Sequence, residues 1–195
     1  MKTYLATPST IYPVSLTEAK LHLKVDISTD DALIQNLIIA ATHLSEEYTN
    51  RFFLNTDVVM TCSDWSDLNA LFKSNVTYDY STNTIKYYAP GDGNTFTTWN
   101  NLNYNVVIEY QPAQVSIREN KTFPSIQNRS DAIQITYKSG YGSSATNVPQ
   151  EIKQAILLTI GNFYSNRSSV VVGRISTELP LNVKWLLNTY KVQIL

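Results

Sequence analysis

The 195-residue chain is 43% hydrophobic, enough to bury a sizeable core without staples, and its formal net charge of −1 gives no long-range attraction to nucleic acid or anionic lipid. Charged residues make up only 16%, against about 25% in soluble domains, while the chain carries 13 tyrosines, a surface chemistry suited to lasting contact with other proteins. One cysteine, Cys62, excludes an internal disulfide, and without a Cys/His cluster a zinc site is not expected.

The opening residues, MKTYLATPSTIYPVSL, lack the apolar core of a secretory signal, and no apolar run is long enough to span a bilayer, so synthesis in a reducing cytoplasm with no membrane partner is expected. Ser15-Leu16-Thr17-Glu18 spells a capping box, which predicts a short helix to about Leu23. A second helix is predicted after Thr29, with Asp30 and Asp31 at its positive end and Leu33, Leu37, Ala41, Leu44 and Tyr48 on one face, which Ile34, Ile38 and Ile39 widen considerably. It should stop near Asn50, a residue that tolerates left-handed backbone.

From Thr56 to Tyr137 the texture changes to short β-branched and aromatic runs: Val58–Thr61, Val76–Tyr80, Thr84–Tyr88, Val106–Tyr110, Val115–Arg118 and Ile133–Tyr137. They are divided by Asn, Asp, Gly and Pro. An antiparallel β insertion is expected, with a hairpin turned at Ser81-Thr82-Asn83 and another turn at Gly91-Asp92-Gly93-Asn94. Helix returns with Pro149 as a first helical position and runs through Ile152, Ile156, Ile160 and Phe163 to about Arg167; Ala155, Leu157, Leu158 and Tyr164 make it apolar nearly all round. A helix apolar on most faces must be covered on most faces, so other subunits are expected against it. A strand-like Val170-Val171-Val172 precedes a last helix from about Leu181 to Lys191, and the apolar tail Val192-Gln193-Ile194-Leu195 is suited to docking as an extended strand.

The expected fold class is therefore α+β, a bundle of about four helices from the N- and C-terminal segments with an antiparallel β insertion between the second and third. In residues this gives a helical part at 1–55, a β-rich insertion at 56–140, and a helical part with a docking tail at 141–195.

Gly140-Tyr141-Gly142-Ser143-Ser144-Ala145 fits the dinucleotide-binding spelling, but Pro149 delays the helix whose free amides would meet a pyrophosphate, and no acidic residue follows to hold a ribose. The loop is read as a hinge between sheet and helix, with Gly140 and Gly142 supplying backbone freedom. His43 and Glu47, four apart, are too few for a metal site, and His22 is read as an interfacial or packed histidine. No serine-hydrolase elbow is present. Asn162, Arg167 and Arg174 are too few to bind DNA strongly. Trp65, Trp99, Tyr87, Tyr88 and Tyr104 allow an alternative, a carbohydrate- or host-surface-binding β module stacking sugars on exposed rings.

Pro13-Val-Ser-Leu-Thr-Glu-Ala-Lys-Leu-His-Leu-Lys-Val-Asp26, Asp30-Asp-Ala-Leu-Ile-Gln-Asn-Leu-Ile-Ile-Ala-Ala41 and Glu47-Tyr-Thr-Asn-Arg51 resemble the head-tail connector (adaptor) proteins of tailed bacteriophages. Further on, Ile135-Thr-Tyr-Lys-Ser-Gly-Tyr-Gly142, Val148–Leu158, Phe163-Tyr-Ser-Asn-Arg167 and Leu179–Leu187 are similar in the same order. Asn50 and Asn182 stand where that family commonly has Gly. The resemblance implies a non-enzymatic subunit of the virion neck, forming a ring, usually twelvefold, between the portal and the tail or its stopper. DNA would pass through its lumen without sequence-specific binding. It implies no catalytic residue, no cofactor and no metal. On this reading Leu37, Ile38, Leu157, Leu158, Phe163 and Tyr164 pack between subunits, and Val192, Gln193, Ile194 and Leu195 dock on the portal.

Overall fold

The computed structural model describes the chain apart from residues 1, 8, 72, 74, 167–169, 172–173, 176–179 and 194–195. It divides into two compact units, a β unit of residues 1–9, 50–141 and 192–195 and a helical unit of residues 10–49 and 142–191.

The β unit is built on one antiparallel sheet and one smaller strand pair. Its strands are β1 (Lys2–Thr7), β2 (Thr56–Cys62), β3 (Val76–Thr77), β4 (Ile85–Tyr87), β5 (Thr97–Thr98), β6 (Tyr104–Val107), β7 (Gln114–Ile117) and β8 (Ile133–Ser139). The sheet runs β1-β2-β8-β4-β5 with β3 also on β8, and β6 pairs with β7. In the β2–β8 register Val58 faces Tyr137, Met60 faces Ile135 and Cys62 faces Ile133, so all six side chains fall on one side and are buried. β1 is not expected from the sequence, because Lys2-Thr-Tyr-Leu-Ala-Thr7 alternates weakly; it pairs with Asp57 to Cys62 of β2.

The hairpin expected at residues 81–83 is corrected. The turn exists, with Asn83 N–H donating to the Asp79 carbonyl (2.7 Å) and Ser81 N–H to the Asp79 carboxylate (2.8 Å). However, β3 and β4 do not pair with each other. Both bond to β8, β3 opposite Ser139 and Lys138, β4 opposite Ile135 to Ile133, so they lie end to end along the same partner. β8 has the longer buried run and wins both strands.

The aromatic residues meet in the interior of this unit. Trp65 lies 4.8 Å from Trp99 and stacks on Phe123 at 5.1 Å, and Trp99 stacks on Tyr104 at 4.8 Å. The Trp65 indole N–H donates to the Pro124 carbonyl (2.9 Å) and the Tyr78 and Tyr104 hydroxyls bond each other (2.9 Å), so the polar tips are satisfied. Trp65, Trp99, Tyr88 and Tyr104 are buried and Tyr87 is half-buried. These rings are core, which removes the exposed stacking platform that the carbohydrate-binding alternative required.

In the helical unit, α1 (Leu16–Leu23) opens with the anticipated capping box: Ser15 Oγ accepts from Glu18 N–H (3.2 Å) and Glu18 Oε2 accepts from Ser15 N–H (2.7 Å). α2 (Asp31–Thr49) ends at Asn50, whose φ of 54° is the left-handed conformation expected there. α3 (Gln150–Ser165) and α4 (Leu181–Asn188) follow Pro149 and Pro180, each of which is the N-cap and not the first helical residue, its carbonyl taking the first helical bond from Lys153 and Lys184. A short antiparallel pair, β9 (Val170–Val171) with β10 (Arg174–Ile175), lies between α3 and α4, while Val172 and Arg167 fall outside the described residues.

α2 and α3 form the centre, and α1 and α4 each contact both. Of the expected face of α2, the part carrying Ile34, Ile38 and Ala41 is buried, together with three hydroxyl residues that were not expected there. Ile34, Ile38, Ala41, Thr42, Ser45 and Thr49 face inward, whereas Leu33, Leu37 and Tyr48 are half-buried and Leu44 is exposed. Hydroxyls can be buried here because each donates to the carbonyl one turn back: Thr42 to Ile38 (2.7 Å), Ser45 to Ala41 (2.8 Å), Thr49 to Ser45 (2.8 Å) and, on α3, Thr159 to Ala155 (2.8 Å). With Ala41 and Ala155 they give a seam of small residues.

Candidate functional site

The Gly140–Gly142 loop is where the chain passes from the β unit, ending at Tyr141, into the helical unit, beginning at Gly142. Gly140 has φ +145°, and a Cβ there would lie 2.4 Å from the Leu54 carbonyl carbon and 2.6 Å from the Asn55 nitrogen. Its N–H donates to the Asn75 carbonyl (3.0 Å), and Tyr141 N–H donates to Phe53 (3.2 Å). Gly142 leaves room for Asn147, whose Oδ1 accepts from Ser144 N–H (3.1 Å) and closes a single 3-10 turn, Ala145–Asn147, ahead of α3. The glycines thus serve close backbone and side-chain approach, and the amides after them are engaged in a capped turn.

No group of three or more His, Cys, Asp or Glu among the described residues is placed to hold a metal ion. His43 and Glu47 are both exposed, and the His22 ring sits beside Gly161, 3.5 Å from where its Cβ would be. No described helix is long and apolar enough to cross a membrane.

What the helical unit does present is large apolar side chains on its outside. Leu21 of α1 is 81% exposed and Ile27, just after it, 61%; on α4, Leu181 is 62% and Trp185 67% exposed. Polar contacts hold the helices around them in place. Lys20 Nζ reaches Asp31 Oδ1 at 2.6 Å and Lys153 reaches Glu18 at 3.2 Å. The Tyr164 hydroxyl donates to Asp30, that of Tyr48 to Asn188 (2.7 Å), and that of Tyr190 to Glu151 (3.0 Å). The amide bond from Ser15 and the nearby Lys153 ammonium hold the Glu18 carboxyl below its usual range, so it stays charged for both partners.

The expected interface residues divide. Ile38 is fully buried within its own chain and is withdrawn from the set; the hydrophobic face of α2 turns it inward. Leu37, Leu157, Leu158, Phe163 and Tyr164 are half-buried. Leu21, Ile27, Leu181 and Trp185 were missed, because periodicity gives one stripe per helix and assigns it to the core. In the tail, Val192 is buried at 2% exposure and its carbonyl accepts from Asn50 Nδ2 (3.3 Å), so it roots the tail in its own β unit. Gln193 is exposed, and Ile194 and Leu195 lie outside the described residues.

An α+β subunit with apolar helix faces turned outward has the surface chemistry of an assembly protein. The sequence pattern of the phage gp6-like head-tail connector proteins matches residues 13–111, and the chain belongs to that family. It is a structural connector of the head-tail junction. Its fold is similar, over 98% of the chain and 97% of the matched one, to that of a chain in the neck of an empty gene transfer agent (GTA) particle computed with C6 symmetry (TM-score 0.75, 16% identity). The same coverage holds for a chain in the virion of a native GTA particle (TM-score 0.73, 18% identity) and one in the neck of a native GTA particle computed with C12 symmetry (TM-score 0.72, 17% identity). No curated protein matches the chain in sequence.

Proposed function

We propose that copies of this chain close into a ring, a dodecamer, in the neck of a virion, between the portal and the tail or its stopper. The ring leaves a lumen through which DNA passes without sequence-specific contact. The observation that carries this reading is the outward exposure of Leu21, Ile27, Leu181 and Trp185 on a unit whose fold matches neck subunits of a particle with cyclic symmetry. A net charge of −1 suits a lumen that DNA traverses without adhering. Leu37, Leu157, Leu158, Phe163 and Tyr164 contribute to the packing between copies, and the tail from Gln193 onward docks on the portal. The chain's crossing at Gly140–Gly142 serves as the joint between its two units.

Negative-stain imaging of the purified protein, alone and with portal protein, tests this. Twelvefold rings stacked on portals are expected, and a monomer that leaves portals bare would overturn it. Deleting residues 193–195 should leave the unfolding midpoint unchanged and abolish portal attachment. Unaltered attachment would remove the tail from the docking role.

A further inference from the structure

Among the exposed apolar side chains of the helical unit, those at α1 and those on α4 lie to different sides of the α2–α3 pair. On α3, Lys153 and Glu151 stand two positions apart, about 200° around the helix. The first meets Glu18 of α1, the second meets Tyr190 just beyond α4. α1 and α4 therefore pack from different sides. Within each outer helix the exposed residue points away from the buried one: Leu21 is two positions from Ala19, and Trp185 two from both Val183 and Leu187, all three of which are fully buried. The outward directions of Leu21 and Trp185 accordingly diverge to either side of the unit.

We infer that the ring is closed by a head-to-tail contact in which Leu181 and Trp185 on α4 of one copy seat against Leu21 and Ile27 at α1 of the next. This deepens the ring reading above and rests on it. Were each patch to pair with its own kind, neighbouring copies would point in alternate directions, which a ring of purely cyclic symmetry does not allow. Pairing unlike patches uses both on every copy, and a contact between different surfaces is the kind that propagates around a cyclic assembly. A tryptophan at the centre of the contact suits the role, since buried aromatic anchors dominate such interfaces.

Leu21→Glu and Trp185→Glu test it by complementation in the full chain. Each variant alone should need roughly tenfold or more protein to associate, judged by sedimentation. Mixed in equal amounts they should form one-to-one pairs and no rings, because each keeps the patch that the other has lost. Self-pairing of a single variant, with no pairs in the mixture, would show like-with-like contacts and overturn the inference. Rings formed by either variant as readily as by the unaltered chain would remove this contact while leaving the ring reading intact. Failure of the unaltered chain to form rings, even on portals, would instead sink the ring reading. Should a glutamate variant lose its unfolding transition, Leu21→Gln and Trp185→Gln repeat the experiment.

Discussion

In the β unit the largest side chains turn inward: Trp65, Trp99, Tyr104 and Tyr137 share one core with Met60, Ile133 and Ile135. In the helical unit Ile34, Ile38, Ile152, Ile156 and Ile160 are buried beside the small residues Ala41, Thr42, Ser45, Thr49, Ala155 and Thr159, while Leu21, Leu181 and Trp185 lie outside. The β unit does leave Leu102, Ile108, Tyr110 and Phe123 exposed, but its main strands keep their apolar faces covered. Apolar area stabilises whatever buries it, so the first unit spends its area on itself and the second reserves part for neighbours.

Replacing one tryptophan in each unit separates these uses most sharply. Trp65→Ala should cost about 3–5 kcal/mol in urea unfolding, as expected for a buried indole that leaves a cavity. A loss below about 1 kcal/mol would mean the aromatic cluster relaxes and does not act as a fixed core. Gly140→Ala comes next. Its Cβ would collide with the Leu54–Asn55 backbone at a positive φ, and a loss of at least about 1–3 kcal/mol is expected from the strained backbone alone.

Ser15→Ala should cost about 1 kcal/mol by removing the cap of α1. It should also alter the acid limb of stability. Glu18 has a lowered folded-state pKa, so its contribution is present above the unfolded carboxylate value and is lost as pH falls through the folded one. Freed from the Ser15 hydroxyl, that contribution shrinks, and across the acid range the gap between the variant and the unaltered chain should narrow as pH falls, down to the cost of the lost cap bond. The smallest effect belongs to the second tryptophan: Trp185→Ala should stay within about 0.5 kcal/mol of the unaltered chain, while assembly weakens. A large destabilisation of the isolated subunit would break the contrast between the units.

Local chemistry was legible in the sequence wherever it is self-contained. The Ser15–Glu18 box, the Asn50 stop and the strands Val58–Thr61 and Ile133–Tyr137 each depend on a few adjacent residues, and each is found. Three features depend on partners distant in the chain. β1 needs β2 beside it, the two short strands β3 and β4 need β8, and which side chains of α2 are buried depends on α3 packed against it. The family signature was readable in Pro13–Arg51, whereas the outward patches were not. An apolar residue on a helix looks the same in sequence whether its neighbour is its own chain or another copy.

The central position of β8 fixes an order of events during synthesis. β8 begins at Ile133 and joins β2, β3 and β4, so β2 has only β1 beside it, and β4 only β5, until roughly the last third of the chain emerges from the ribosome. α3, which covers the buried face of α2, arrives later still, and α4 with Trp185 arrives last. A nascent chain therefore offers Leu21 long before it offers the surface proposed to receive it. Unfinished chains on neighbouring ribosomes cannot join by that contact, and the timing of translation itself delays ring closure until whole subunits have been released.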